Sequence, residues 1–538
     1  MQRFARLLDR LSLSPARNAK IRLLTEYFSV TPDPDRGFAL AAITRDLEFK
    51  RAKPAMIREL VSRRCDPVLF ELSYDYVGDL AETTALLWPA RHGANRTPEL
   101  TEVVEALTAA SRAEAPELVQ DWLDALDATG RWALLKLVTG GLRIGVSARL
   151  AKAALAQYGG RDITEIEELW HGLEPPYETL FAWLDGRADK PVSAAKAPFR
   201  PVMLATAATL DVLDSYDPED YAAEWKWDGI RIQAVAEEGV RRLYTRTGDD
   251  ISHAFPDILA ALEFDGAIDG ELLVRDGSGG VAPFSDLQQR LNRKTVSARM
   301  MERYPAFIRA YDLLIDGTED LRRLPLRERR ARLERFVQTI PSDRFDISEL
   351  VPVSSWDALD ALRSDPPDAV AEGVMLKRLD SEYVPGRPKG PWFKWKRDPF
   401  LVDAVMMYAQ RGHGKRSSFY SDYTFGVWRE GEDGPGLVPV GKAYFGFTDA
   451  ELKQLDKFVR DNTIERFGPV RSVEAGPETG LVLEIAFEGL QKSARHKSGI
   501  AMRFPRIHRI RWDKPAGEAD RLETLEELLA ARFAPAHS

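Results

Sequence analysis

A lysine with a carboxylate two residues to either side stands at Glu224-Trp225-Lys226-Trp227-Asp228, followed by Gly229-Ile230-Arg231. In an extended strand the side chains alternate, so Glu224, Lys226 and Asp228 share one face and Trp225 and Trp227 the other, where they read as core anchors. Past Gly229 the parity flips, because Ile230 and Ile232 alternate with Arg231 and Gln233. The flip predicts a bend or tight turn at the glycine that returns Arg231 to the same pocket. An amine so placed can serve as a covalent nucleophile if its charge is suppressed. A free lysine has a pKa of about 10.4, so the neutral amine is scarce near neutrality. Nearby positive charge enlarges that fraction and flanking carboxylates reduce it, which casts Glu224 and Asp228 as orienting or ligand groups.

Other stretches carry chemistry further along. Ala267 to Val274 alternates with Asp269 and Glu271 on one face, a pair suited to a metal or a ribose, or to plain solvent exposure. Ala310 to Gly317 reads as a strand ending in a turn, with Tyr311 either in the core or stacked on a base. Glu372-Gly373-Val374-Met375-Leu376-Lys377 is a short apolar strand with a charge at each end, and parity places Glu372 at its mouth. Five basic residues and no acidic one occupy 387–397: Arg387, Lys389, Lys394, Lys396 and Arg397. Alternation in Trp392-Phe393-Lys394-Trp395-Lys396 aims Lys394 and Lys396 the same way, which favours phosphate binding over a solvated face. Residues 492–514 hold eight Lys and Arg, among them Arg503, Arg506 and Lys514, against Asp513 alone, a polyanion footprint.

These residues need a large scaffold. A chain of 538 residues exceeds one core, and two to four domains are expected. No apolar run approaches the ~20 residues that span a bilayer, and the start is an amphipathic helix without a signal-peptide core. Cys65 is the single cysteine, which excludes intrachain disulfides and a cysteine zinc site and fits a reducing, cytoplasmic setting. The net charge of −9 averages over the basic runs. Residues 1–190 read as helical, with Thr101 to Leu107 and Leu150 to Leu155 as examples and turns at Thr31 to Asp35 and His92 to Asn95. Within them, Thr139 to Ser147 opens a helix with glycines, Arg143 and a capping serine. That is either a glycine turn or a helix N-terminus whose amides hold a phosphate beside Arg143. Ala188 to Pro201 is Ala-, Lys- and Pro-rich, an interdomain linker. Residues 202–398 are β-rich with helices such as Leu326 to Phe336. From 399 an all-β segment suits a small barrel, with strands at Val402 to Met407 and Leu481 to Phe487, a basic turn at Gln410 to Arg416 and an acidic helix at Glu518 to Phe533.

Taken in order, seven elements over residues 224–514 resemble the signature of the ATP-dependent DNA ligases, within the covalent nucleotidyltransferase superfamily. They are Lys226 to Arg231, Thr245-Arg246-Thr247-Gly248, Asp269-Gly270-Glu271, Tyr311 to Leu314, Glu372 to Lys377, Lys394 with Lys396, and Arg503 to Lys514. Gly141-Leu142-Arg143-Ile144-Gly145 is similar to an element of the helical DNA-binding domain of the larger, bacterial-type ligases. The resemblance implies a multidomain chain: an all-α DNA-binding domain (1–195), an α+β adenylation domain (196–398) and an all-β OB-fold barrel with a C-terminal helix (399–538). It implies that Lys226 carries AMP with Asp228 beside it, Glu224 bonds the adenine edge and Tyr311 stacks on its face. Arg231 and Glu271 would hold the ribose, Arg246 would lie near the phosphates, Glu271 and Glu372 would bind Mg²⁺ (or Mn²⁺), and Lys394 and Lys396 would hold the ATP phosphates. Arg143, Arg387, Lys389, Arg503, Arg506 and Lys514 would contact DNA or phosphate.

Two positions depart from the pattern: Tyr311 stands where phenylalanine is common, and Pro388 where many relatives have a basic residue, leaving Arg387 or Lys389 to replace it. The expected substrate is nicked duplex DNA, handled by a monomer in the cytoplasm near the nucleoid, with no membrane partner and any nuclease, helicase or polymerase on separate chains. The competing readings are an RNA ligase or RNA-capping enzyme, and a non-catalytic nick-binding protein. A nicotinamide-dependent ligase is disfavoured because one cysteine cannot supply its four-cysteine zinc module.

Overall fold

The computed structural model describes residues 1–89, 96–192, 195–291, 293, 295–368, 370–412, 420–431, 434–444, 448–493 and 496–533. The turn expected at His92 to Asn95, most of the basic turn at Gln410 to Arg416, and Arg495 of the C-terminal basic run lie outside the described residues. The chain forms two compact units: Met1–Arg161 with Glu174–Lys190 and Pro399–Ala534, and Asp162–Leu173 with Pro191–Asp398.

From Gln2–Leu13 to Glu178–Leu184 the regular structure is helical. Helix Leu100–Ala109 shows why: Leu100, Val103, Val104 and Leu107 form one buried stripe at helical spacing. The glycine-bearing stretch ends helix Ala128–Thr139 with Gly140 in the left-handed region and starts helix Ala148–Gly159 at Ser147. Ser147 Oγ accepts from the Leu150 N–H at 3.2 Å, the expected cap.

The second unit contains strands β1 (Thr206–Ala207), β2 (Tyr221–Trp227), β3 (Ile230–Glu237), β4 (Val240–Thr245), β5 (Gly266–Val274), β6 (Ala306–Asp316), β7 (Glu319–Asp320), β8 (Phe345–Ile347), β9 (Leu350–Val351), β10 (Ala371–Arg378) and β11 (Trp392–Lys396). They make a five-stranded sheet ordered β1-β11-β10-β2-β9 and a six-stranded sheet ordered β4-β3-β5-β6-β7, with β8 against β6. β2 and β3 lie in different sheets, so the bend at Asp228-Gly229 is where the chain leaves one sheet and enters the other. A Cβ on Gly229 would lie 2.6 Å from the Leu272 carbonyl oxygen, so the crossing needs glycine. Segment Asp162–Leu173 packs here through His171, whose ring is 5.0 Å from Tyr244 and 5.6 Å from Phe199, and through Glu168, which accepts from Arg322 at 3.1 Å.

C-terminal strands β12 (Phe400–Arg411), β13 (Tyr420–Gly431), β14 (Gly434–Ala443), β15 (Thr463–Phe467), β16 (Val470–Val473), β17 (Val482–Phe487), β18 (Gly489–Lys492), β19 (Ile500–Arg503) and β20 (Arg506–Arg511) follow. Seven of them form an antiparallel sheet in which β12 pairs with β13, β16 and β17, and β17 with β20. Tyr423, Phe425, Leu483, Ile485 and Phe487 fill its core. The expectation of a purely β segment before the terminal helix is corrected by helix Asp449–Asp461, which buries Leu455 and Val459 in that core. Its N-terminus is a reciprocal capping box: Thr448 Oγ1 accepts from the Glu451 N–H at 3.3 Å, and the Glu451 carboxylate accepts from the Thr448 N–H at 2.7 Å. The terminal helix, Leu522–Phe533, starts later than expected because Ala516–Glu518 forms a separate 3₁₀ turn. Among the described residues no helix is long and apolar enough to cross a membrane.

Candidate active site

Antiparallel pairing sets Glu224 opposite Met375, Met375 opposite Lys394, and Gly373 opposite Lys396. Paired residues project to the same side of a sheet, and Glu224, Lys226, Lys394 and Lys396 accordingly line one cavity of about 510 Å³. Arg231, Arg246, Glu271, Tyr311 and Arg387 line it too. Trp225 and Trp227 are half-buried: each packs against a core cluster, as strand parity suggests, and each also reaches the cavity wall. Arg309 supports Trp227, its guanidinium 4.3 Å from a ring centroid.

Glu372 escapes the parity argument through a bulge. The β2–β10 register shifts between Ala371 and Val374, and Gly373 adopts φ +140°. A Cβ there would meet the Trp395 carbonyl oxygen at 2.2 Å, so only glycine permits the bulge. The result brings Glu372 Oε2 to 2.6 Å from Lys226 Nζ and 3.7 Å from Lys396 Nζ. Burial alone would raise the Glu372 pKa, but the Lys226 and Lys396 ammonium groups outweigh it and hold the carboxyl below its usual range.

Glu271 behaves oppositely. Burial pushes its pKa up to about 7; Lys226 and Arg231 oppose the rise, while Glu372 and Asp269 add to it. Lys394 is pushed down, first by burial and then by Arg387, Lys396, Lys226 and Arg246. The cations thus gather at one end of the cavity, where a polyphosphate would relieve their repulsion.

The two carboxylates of the Asp269-Gly270-Glu271 strand separate in role. Glu271 lines the cavity, whereas Asp269 is fully buried and spent on Arg231. Arg231 Nε and Nη2 donate to the two Asp269 oxygens at 3.1 and 2.6 Å, and Nη1 donates to the Met203 carbonyl at 2.7 Å. Burial opposes the Arg231 charge, but Asp269 outweighs it and raises its pKa well above the usual value. Tyr311 and Tyr383 hydroxyls donate to Asp269 at 3.2 and 2.7 Å. Asp269 is therefore an anchor for the wall and not a ligand facing the cavity. Asp228 is buried at the sheet crossing, its N–H donating to the Val370 carbonyl at 3.1 Å. Of the two basic residues flanking Pro388, Arg387 lines the cavity and Lys389 does not.

Sequence reasoning assigned no role to Lys377, Trp392 or Arg330. Lys377 and Trp392 line the cavity, and Arg330 Nη1 comes within 3.4 Å of Glu224. Lys377 was visible in the parity of Met375; Arg330 gave no signal, because a long helix brings it there across 106 residues of sequence. Arg143, Arg503, Arg506 and Lys514 belong to the other unit. Arg143, at φ +47°, lines a second concavity of about 710 Å³ with Arg17, Lys20, Arg45 and Arg149. Lys514 Nζ is 2.8 Å from Asp403 Oδ2.

Two family profiles match the chain: the ATP dependent DNA ligase domain over residues 202–396, and the ATP dependent DNA ligase C terminal region over residues 416–514. A protein of Koribacter versatilis named probable DNA ligase is 36% identical over 426 residues, covering 74% of this chain and 72% of its own length. The chain belongs to the ATP-dependent DNA ligase family. A probable DNA ligase of Opitutus terrae is 31% identical over an alignment covering 98% of this ligase, which spans 62% of that protein's length. The solved structure named Pmar-Lig_PreS3 shares the fold at a TM-score of 0.57 and 15% identity, covering 94% of this ligase and all but 1% of that chain. Family membership makes this an ATP-using enzyme that acts on nicked DNA.

Proposed function

We propose that the ligase seals nicks through three phosphoryl transfers with Lys226 as the residue that carries AMP. The observation that carries this reading is the placement of Lys226 Nζ at the cavity wall, 2.6 Å from Glu372, beside the cation cluster of Lys394, Lys396, Arg246 and Arg387. In the first step the neutral Lys226 amine attacks the α-phosphorus of ATP, a phosphoramide bond forms as the nitrogen releases a proton to solvent, and the bond to pyrophosphate breaks. The cation cluster neutralises the charge of the leaving pyrophosphate. In the second step an oxygen of the DNA 5′-phosphate attacks the lysyl phosphate, the P–N bond breaks, and Lys226 leaves as the amine after its nitrogen takes a proton from solvent. In the third, the 3′-hydroxyl attacks that activated phosphate, loses its proton, and AMP departs.

Glu224 bonds the adenine edge and Tyr311 stacks on its face. Glu271 faces the ribose, and Arg231, clamped to Asp269, shapes that wall; Arg387 supplies the basic group absent at Pro388. Asp228, at the sheet crossing, fixes the turn that follows Lys226. Glu271 and Glu372 fit a Mg²⁺ or Mn²⁺ ion: Glu271 holds its proton up to about 7, as a carboxylate short of compensating charge does. Among the described residues no group of three His, Cys, Asp or Glu converges, which suits an ion held by one or two carboxylates plus substrate phosphates. Such an ion would neutralise charge on the phosphates.

The division into a helical DNA-binding domain (1–195), an adenylation domain (196–398) and an OB-fold domain (399–538) supplies the rest. The basic concavity around Arg143 takes backbone phosphates through the amides of Gly140–Ser147 and the surrounding side chains, while Lys389, Arg503, Arg506 and Lys514 add contacts to DNA. The enzyme acts as a monomer in the cytoplasm, near the nucleoid. A nicked duplex with a labelled 5′-phosphate tests this: sealing with ATP and Mg²⁺ is expected, and a nick ending in a 3′-dideoxy residue should stall as adenylylated DNA. Sealing with GTP alone, or only of RNA, would refute the reading.

A further inference from the structure

We propose that Lys377 and Arg330 are positioning residues that set nucleotide specificity, by holding Glu224 as an acceptor-only carboxylate at the base end of the cavity. The proposal rests on the reading above that Glu224 meets the edge of the base. Glu224 is 3% exposed, and both of its oxygens are bracketed by cations. Oε2 accepts from Lys377 Nζ at 2.9 Å, and Oε1 lies 3.4 Å from Arg330 Nη1.

Lys377 is itself fixed. It is 1% exposed, with Nζ 4.1 Å from the Tyr311 ring centroid and 4.8 Å from that of Trp392. Two aromatic faces and a carboxylate leave the ammonium little freedom to move. Arg330 is steadied in turn by Glu334, which accepts from its Nε at 2.8 Å.

Lys377 stands apart from Lys396. It pairs with Trp392, whereas Lys396 pairs with Gly373, four residues further along β10. At ~3.3 Å per residue that separation is roughly 13 Å, so the paired strands β10 and β11 carry Lys377 and Lys396 towards opposite ends of the cavity. The Lys226–Lys396 end suits a triphosphate and the Lys377–Tyr311 end a base.

The pairing decides what Glu224 can recognise. An ionised carboxylate only accepts hydrogen bonds, whereas a protonated one also donates. Lys377 and Arg330 fix the two oxygens of the Glu224 carboxylate, which pairs with a purine 6-amino group. A 6-oxo group would set acceptor against acceptor inside a buried site, the arrangement that rejects an analogue most strongly. Without Lys377 the carboxylate loses the contact that fixes Oε2 and can turn from the base, so the 6-amino contact weakens and the discrimination falls.

The test uses the full chain and measures covalent protein–nucleotide formation with α-labelled ATP, inosine triphosphate and purine riboside triphosphate, which lacks any 6-substituent. The wild type is expected to prefer ATP over inosine triphosphate by on the order of a hundredfold or more. Lys377→Met should cut that ratio at least tenfold, chiefly by raising KM for ATP, and Lys377→Arg should recover most of it. Arg330→Met should give a smaller loss of the same sign. An unchanged ratio in a folded Lys377→Met variant overturns the proposal. If that variant does not fold, the wild type and Arg330→Met decide: purine riboside triphosphate used as well as ATP, or an unaltered ratio in Arg330→Met, overturns it. A wild type that forms no adduct with any of the three nucleotides defeats instead the reading of Lys226 on which the proposal stands.

Discussion

Replacing Glu271 with glutamine is expected to stabilise the second compact unit above neutral pH while abolishing ligation. The carboxyl is held at about 7 in the fold against 4.5 when exposed. At ~1.4 kcal/mol per pH unit, that gap corresponds to about 3 kcal/mol. The folded value lies above the unfolded one, so the folded chain binds the extra proton between these limits. The stability contributed by protonated Glu271 is fully present below about 4.5 and is lost as pH rises through about 7. Glutamine keeps the neutral shape at every pH, so the variant and wild type should match near pH 4.5 and diverge upward. Above pH 8 the variant should be more stable by about 3 kcal/mol, or roughly 6–12 °C in Tm for a unit of this size. Thermal denaturation from pH 4.5 to 8.5, without nucleotide or metal, reads this directly. Parallel curves across that range would refute the assignment of an uncompensated charge to Glu271.

Gly373→Ala should cost on the order of 3 kcal/mol, because its Cβ would collide with the Trp395 carbonyl at 2.2 Å and φ +140° disfavours a side chain. Chemical denaturation and the loss of nick sealing check it together. Asp312→Asn should destabilise by about 3–5 kcal/mol, since Arg329 donates to both carboxylate oxygens at 2.8 and 3.0 Å with both side chains fully buried; urea unfolding gives the value. Arg143→Ala should weaken DNA binding at all sequences alike and lower the slope of log affinity against log salt by about one, as measured by fluorescence anisotropy.

Much of the site was legible in the order of charged residues. Strand alternation alone aimed Lys394 and Lys396 the same way, because β10 and β11 pair without a break in register there, and it put Lys226 on the face of Glu224; that these two faces share one cavity followed from the resemblance. Alternation failed at Glu372, where the Gly373 bulge breaks the period, and at Asp269, which shares a face with Glu271 but lies deeper against Arg231. Which of two carboxylates a guanidinium captures is a matter of depth in the wall, and period two carries no depth. The helix at Asp449–Asp461 was legible in principle through Thr448 and Glu451, three residues apart, before Leu452 and Leu455. The crossing of Asp228-Gly229 between sheets was visible as a flip of parity, although its partner sheet depended on pairings between strands distant in sequence.

The most direct test of the account is the identity of the residue that carries AMP. After incubation with α-labelled ATP and Mg²⁺, proteolysis and mass spectrometry should place a single adenylyl group on Lys226 through an acid-labile, base-stable phosphoramide bond. Lys226→Ala should take up no label while still binding nicked DNA. Label that persists in Lys226→Ala, or that maps to another residue of the wild type, would contradict the account.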